Sequence, residues 1–158
     1  MLTATDTRWL AKAVRLATDN VAYGGGPFGA LIVRDGDVLA TGTNQVTTAL
    51  DPTAHAEVVA IRAACQLIGD FKLTGCLLVA SCEPCPLCLA AALWARVDRV
   101  IYAADRDDAA AAGFDDRAFH QLFAQPRSTW PVPVTQLSVE DRNTPFSAWL
   151  AKPEREAY

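Results

Sequence analysis

Lysine is scarce in this 158-residue chain: only Lys12, Lys72 and Lys152 occur, and the formal net charge is -4. Affinity for nucleic acid comes largely from cations set against phosphates. No basic run is present, so no nucleic-acid partner is expected. Long apolar runs are missing too. None approaches the ~20 residues that cross a bilayer. Residues 1–10 include Thr, Asp and Arg where a secretory signal has its apolar centre. The expectation is a cytoplasmic protein with no membrane partner. The five cysteines are an odd number, and Cys82, Cys85 and Cys88 are crowded together, which does not suit a secreted disulfide framework. With 51% apolar and 20% charged residues, the chain is not disordered. Its length suits one domain, and residues 1–158 are read as one, without repeats or linkers.

Trp9, Leu10, Ala13, Val14, Ala17 and Val21 recur at helical spacing and predict a helix over 7–21, capped by Asp6 or Thr7. Gly24-Gly25-Gly26-Pro27 ends it. Residues 28–34 read as a buried strand, Asp35-Gly36-Asp37 as a hairpin turn and 38–43 as the return strand. A polar loop over 44–53 leads to a helix over 54–67. A strand over 76–80, a helix over 86–95 and a strand over 99–103 follow. Beyond these come two short helices, over 107–112 and up to about 124, and a proline-rich loop over 125–133. A fifth strand at 134–137 and a helix at 146–151 complete the chain. Strands alternating with helices imply a sheet covered by helices, and the hairpin makes that sheet mixed.

Two clusters carry chemistry. His55-Ala56-Glu57 stands near the middle of the chain, and Pro84-Cys85-Pro86-Leu87-Cys88 follows some thirty residues later. One imidazole and two thiolates can hold Zn²⁺ and leave a fourth position for water. At the first turn of a helix, Cys85 and Cys88 share a face, and the helix N-terminus favours thiolates. Pro86 suits such a turn, where its missing N–H is no loss. His55 and Glu57 are two apart, so they converge only if His55 stands at the very start of its helix. Zinc lowers the pKa of its water to about 7. Glu57 is then the proton carrier: from water to a ring nitrogen of an amino-substituted heterocycle, then to the departing amino group. Ammonia leaves. A structural zinc knot would fill all four positions with protein ligands. The fourth candidate is Cys82, whose strand-end position fits less well and which is read as packing beneath the site. Cys65 and Cys76 read as small buried hydrophobes.

The pattern H-x-E followed by P-C-x-x-C is the signature of zinc deaminases. The segments 51–57 and 81–88 resemble the cytidine and deoxycytidylate deaminase superfamily, in its nucleobase-acting branch. Trp94-Ala95-Arg96, Ala111-Ala112-Gly113-Phe114-Asp115-Asp116 and the ending 145–158 resemble the bacterial guanine deaminases over nearly the whole chain. That resemblance implies a three-layer α/β/α sandwich with a five-stranded mixed sheet, like that of cytidine deaminase. It implies a homodimer in which residues 145–158 are exchanged and close the partner's site. It implies conversion of guanine to xanthine and ammonia. By position, Phe28 would stack on the purine, Asn44 would bind its edge, and the Ala56 backbone would meet the reacting region. Trp94 and Asp116 would shape and polarise the pocket, and Tyr158 would arrive with the exchanged tail.

Plainer roles stand beside these. Phe28 and Trp94 suit core aromatics, Asn44 an Asx turn, and Asp115 or Asp116 a helix cap. His120 reads as a surface or interface histidine, and Arg106-Asp107-Asp108 as a solvated turn. Another amino-heterocycle remains an alternative substrate: an aminotriazine such as ammeline, cytosine, or guanosine. A tRNA adenosine deaminase shares the fold but needs a cationic face and room for a flipped base. A non-catalytic zinc module would have no use for Glu57.

Overall fold

The computed structural model describes residues 3–157; Met1, Leu2 and Tyr158 lie outside the described residues. Helix α1 (Ala4–Ala22) starts earlier than the sequence predicts, because its cap is Thr3 rather than Asp6 or Thr7. The Thr3 hydroxyl accepts from the Asp6 N–H at 3.1 Å, and the Asp6 carboxylate accepts from the Thr3 N–H at 2.9 Å. This reciprocal box satisfies two donors that a helix start leaves unpaired. Asp6 also pairs with Arg99, which begins a strand of the sheet. The Thr3 N–H first, then the Thr3 hydroxyl and Arg99, hold the Asp6 carboxyl below its ordinary range.

The sheet has four strands, β1 (Gly29–Arg34), β2 (Asp37–Thr43), β3 (Cys76–Cys82) and β4 (Arg99–Ala104), in the order β2-β1-β3-β4. β1 runs antiparallel to both β2 and β3, while β3 and β4 are parallel, so the sheet is mixed as expected. The β1–β2 turn places Asp35 and Gly36 at φ 52° and 85°. Positive φ at both central residues marks the tight hairpin turn that matches strand twist, and Asp-Gly tolerates it.

Alternation along β1 and β3 divides the core between the two faces. Leu31, Val33 and Val79 pack with Trp9 and Ala13 of α1. Ala30, Ile32 and Leu78 pack on the other face with Ala56, Ala60, Ile61 and Ala64 of α3 (Ala56–Ile68) and Ala92 of α4 (Pro86–Trp94). The result is an α/β/α sandwich. Leu31, Ile32, Leu78 and Val79 are wholly buried, and each such burial contributes about 1.5–3 kcal/mol. A one-turn helix, α2 (Val46–Ala49), interrupts the loop after β2, and α5 (Arg106–Ala111) and α6 (Arg117–Leu122) follow β4. Among the described residues, no helix is long and apolar enough to cross a membrane.

The described chain forms two compact units, one ending at His120 and the other beginning at Gln121. The second holds a 3-10 turn (Arg127–Thr129) and α7 (Thr144–Ala151). Within it, Phe123 meets Trp130 edge-on with ring centres 5.3 Å apart. The five-stranded sheet is not found: residues 134–137 form neither strand nor helix. Val134, Thr135 and Leu137 have strand propensity, but propensity acts through cross-strand packing and a ladder partner. Here Val134 and Leu137 are exposed, and Pro131 and Pro133 remove backbone donors just before them.

Gly42 sets how closely α3 approaches the sheet. A Cβ there would lie 2.1 Å from the Ala56 carbonyl oxygen and 2.5 Å from the Ala60 nitrogen, both fixed backbone. Gly42→Ala is expected to push α3 outward and destabilise the fold by about 1–3 kcal/mol, the usual cost of overpacking. Urea unfolding measures it; an unchanged midpoint would show that α3 yields freely.

Candidate metal and catalytic site

Each cluster seen in the sequence stands at a helix start. His55 is the N-cap of α3, with φ -67° and ψ 152°, outside the helix proper. The approach to it is pinned. Asp51 accepts from the Thr53 N–H at 2.8 Å and the Thr53 hydroxyl at 2.7 Å, and the Gln45 N–H donates to the Ala54 carbonyl at 2.9 Å. This capping position brings His55 and Glu57 to the wall of one cavity despite a spacing of two. Cys85 is likewise the N-cap of α4, with Pro86 in its first turn and Cys88 on its first inner position. β3 delivers this segment directly, since it ends at Cys82.

His55 Nδ1 lies 3.5 Å from the sulfur of Cys85 and 3.5 Å from that of Cys88, and the two sulfurs are 3.6 Å apart. Among the described residues these three form the one His/Cys/Asp/Glu group placed to hold a metal. Zinc with ~2.3 Å bonds to sulfur and ~2.0–2.1 Å bonds to nitrogen requires tetrahedral edges of about 3.5–3.8 Å. The donor triangle therefore fits zinc in both chemistry and size. Cys82 does not join it: its sulfur lies 3.5 Å from the Asp105 carbonyl oxygen.

Electrostatics prepare the donors. The contact with Cys88, and behind it His55, hold Cys85 down to about 4 against the effect of burial. Cys88 is pushed up by Cys85 and by burial. His55 is raised, chiefly through its contact with the Cys85 sulfur. Burial raises the Glu57 carboxyl; the residue is 8% exposed, in the first turn of α3. Burial also lifts the Cys82 thiol to about 11, so it stays a neutral thiol.

The triad opens on a cavity of about 810 Å³. Phe28, Asn44, Glu57 and Asp116 line it together with His55 and Cys85. Phe28 meets Phe114 edge-on with ring centres 5.1 Å apart, fixing its orientation. Asn44 is buried, and its Oδ1 accepts from the Val46 N–H at 3.2 Å, so the Asx turn and the cavity position coexist. Ala56 is buried behind the lining. Trp94 does not line this cavity; it is 60% exposed at the end of α4. Tyr158 lies outside the described residues.

Residues in and around the cavity wall form contacts that the sequence does not reveal. Arg106 is not part of a solvated turn: its side chain binds Glu83 through two nitrogens, and both residues line the cavity. The bidentate Arg106 holds the Glu83 carboxyl below its usual range. Asn20 donates to the Gly26 carbonyl at 2.8 Å and the Asn44 carbonyl at 2.9 Å, tying the glycine loop to the wall. His120 is partly buried rather than exposed. Its side chain is largely buried, with Nε2 3.4 Å from Asp116 Oδ2.

Residues 3–104 match the cytidine and deoxycytidylate deaminase zinc-binding region. The chain belongs to this deaminase family, and it is an enzyme of the zinc-dependent deaminase class. Guanine deaminase of Bacillus subtilis (strain 168) is 50% identical over 142 residues, covering 89% of this chain and 91% of that protein. The X-ray structure of guanine deaminase from Bacillus subtilis matches with a TM-score of 0.94 and 46% identity, covering 99% of each chain. A crystal structure in complex with 2,6-diaminopurine matches with a TM-score of 0.67 and 34% identity, covering 73% of this chain and 65% of that one.

Proposed function

We propose that this chain hydrolyses guanine to xanthine and ammonia, with His55, Cys85 and Cys88 as zinc ligands and Glu57 as the catalytic proton carrier. The observation that carries the reading is Glu57 itself: a buried carboxylate, two residues from the His55 ligand, on the wall of the cavity the triad faces. A structural zinc clip has no need of it.

Zinc held by the three donors supplies a Lewis acid that activates water near neutral pH. Glu57 accepts a proton from the attacking water and passes it to the ring nitrogen beside the reacting carbon. That carbon becomes electrophilic, and its bond to the water oxygen forms. Glu57 then moves the second proton to the amino group. The carbon–nitrogen bond breaks, and ammonia departs. A carboxyl raised by burial suits both acceptance and donation. Phe28, steadied by Phe114, stacks on the purine plane. Asn44, its Oδ1 fixed by Val46, offers amide donors to the purine edge. The Ala56 backbone meets the reacting region, and Asp116 polarises the far side of the ring.

Residues 1–158 act as one deaminase domain, and two copies exchange residues 145–158. The tail supports this: Phe146 and Leu150 of α7 are exposed, as is Trp94, and each is the kind of side chain a second copy covers. Trp94 and Tyr158 then complete a site in the dimer. The acidic balance and scarce lysine argue against a nucleic-acid substrate. A cytoplasmic setting suits cysteines that form no disulfide.

Glu57→Ala is expected to keep zinc and fold while losing turnover by about 10²–10⁴-fold, the scale of general acid–base catalysis. Zinc analysis beside steady-state rates on guanine, guanosine, ammeline and cytosine tests this. Retained turnover in the variant contradicts the role of Glu57. Wild-type turnover of another base with none on guanine contradicts the substrate. Deleting residues 152–158 is expected to impair turnover, and mixing that chain with full-length Glu57→Ala is expected to restore part of it through mixed dimers. Unchanged kinetics in the truncated chain would mean that the tail closes nothing.

A further inference from the structure

Asp116 is held in place by residues on both sides of it. Its neighbour Asp115 is bound by Arg117, at 2.9 Å and 2.7 Å, and Arg117 also reaches Asp107 at 3.1 Å. That network anchors the Gly113 to Asp116 turn from outside. Asp116 lines the same cavity as His55, Glu57 and Cys85. One turn further along, His120 Nε2 stands 3.4 Å from Asp116 Oδ2. The contact is too poorly aligned to count as a hydrogen bond, and among the described residues Nε2 is a buried polar atom without any such partner. Buried polar atoms are rarely left so. Hydrogen bonds at enzyme sites are often long without substrate and tighten in the complex.

We infer that His120 is a positioning residue for Asp116: its buried Nε2 holds Oδ2, so that Oδ1 is aimed into the cavity at the bound heterocycle. This deepens the deaminase reading and rests on it for the identity of that heterocycle. Asp116 stands just before α6 and His120 lies four residues on within it, so the helix start brings the two side chains together. Glu83 is bound by Arg106, and Asp116 is the carboxylate that stands beside Nε2.

The test is a double-mutant cycle on the zinc-loaded enzyme with His120→Phe, His120→Gln, Asp116→Asn and the His120→Phe/Asp116→Asn pair. His120→Phe, which keeps the ring shape, is expected to raise KM for guanine about tenfold, the scale of one lost hydrogen bond, with kcat little changed. His120→Gln, which restores an N–H donor, is expected to recover much of the loss. In the Asp116→Asn background, His120→Phe is expected to do nothing further. An equal loss in both backgrounds overturns the proposal, because His120 would then act on packing alone. A second readout needs no turnover: the ¹⁵N resonance of His120 Nε2 is expected to move in Asp116→Asn. An unmoved resonance overturns the proposal whichever base the enzyme uses, whereas a wild-type chain inactive on guanine overturns only the substrate assignment.

Discussion

The site depends on two helix starts meeting at one end of the sheet. His55 caps α3 and Cys85 caps α4, and each residue sits just outside its helix. A capping residue has extended backbone, so its side chain points across the helix end rather than along a flank. That is how residues from separate helices bring one nitrogen and two sulfurs within 3.6 Å of each other. Both helix ends also present unpaired N–H groups and a positive dipole end, which favour the negative charge carried by a thiolate. Moving either helix start by one residue would turn these donors onto different faces.

The sheet makes the meeting possible. β3 runs through the centre of the sheet and ends at Cys82, so the next residues leave directly into the α4 start. On the same face, Gly42 lets α3 lie against β2 at a separation no side chain would allow. Packing of Ala56, Ala60 and Ala64 against Ala30, Ile32 and Leu78 then fixes the axial position of α3, and with it His55 and Glu57. Small residues on α3 thus serve the chemistry indirectly, by setting a distance. Arg106 and Glu83 do similar work on the opposite wall, tying the segment after β4 to the segment after β3.

The donor set was legible in the sequence because spacing and chemistry are both local there. Cys85-Pro86-Leu87-Cys88 has a proline where a first turn accepts one, and Pro52-Thr53 before His55 marks a helix start. The same local signal, a helix start at His55, is why Glu57 comes to the cavity wall beside it. Residues whose roles depend on meeting a distant partner were not legible. Nothing near Arg106 in the chain reveals that Glu83 will meet it, and nothing near Asn20 reveals that it will bind the carbonyls of Gly26 and Asn44. His120 looks solitary in the sequence, yet one helical turn joins it to Asp116. The predicted strand at 134–137 failed for the converse reason. Its propensity is local, but a strand exists only with a partner, and residues 134–137 form none.

The distinction between a three-ligand centre and a closed four-ligand knot decides whether Glu57 has anything to act upon. Zinc K-edge X-ray absorption on the zinc-loaded protein reads the ligand shell directly. The geometry requires two sulfurs at ~2.3 Å and two lighter nitrogen or oxygen neighbours at ~2.0–2.1 Å. A shell with three sulfurs would mean that Cys82 has joined Cys85 and Cys88, and would contradict an open catalytic centre.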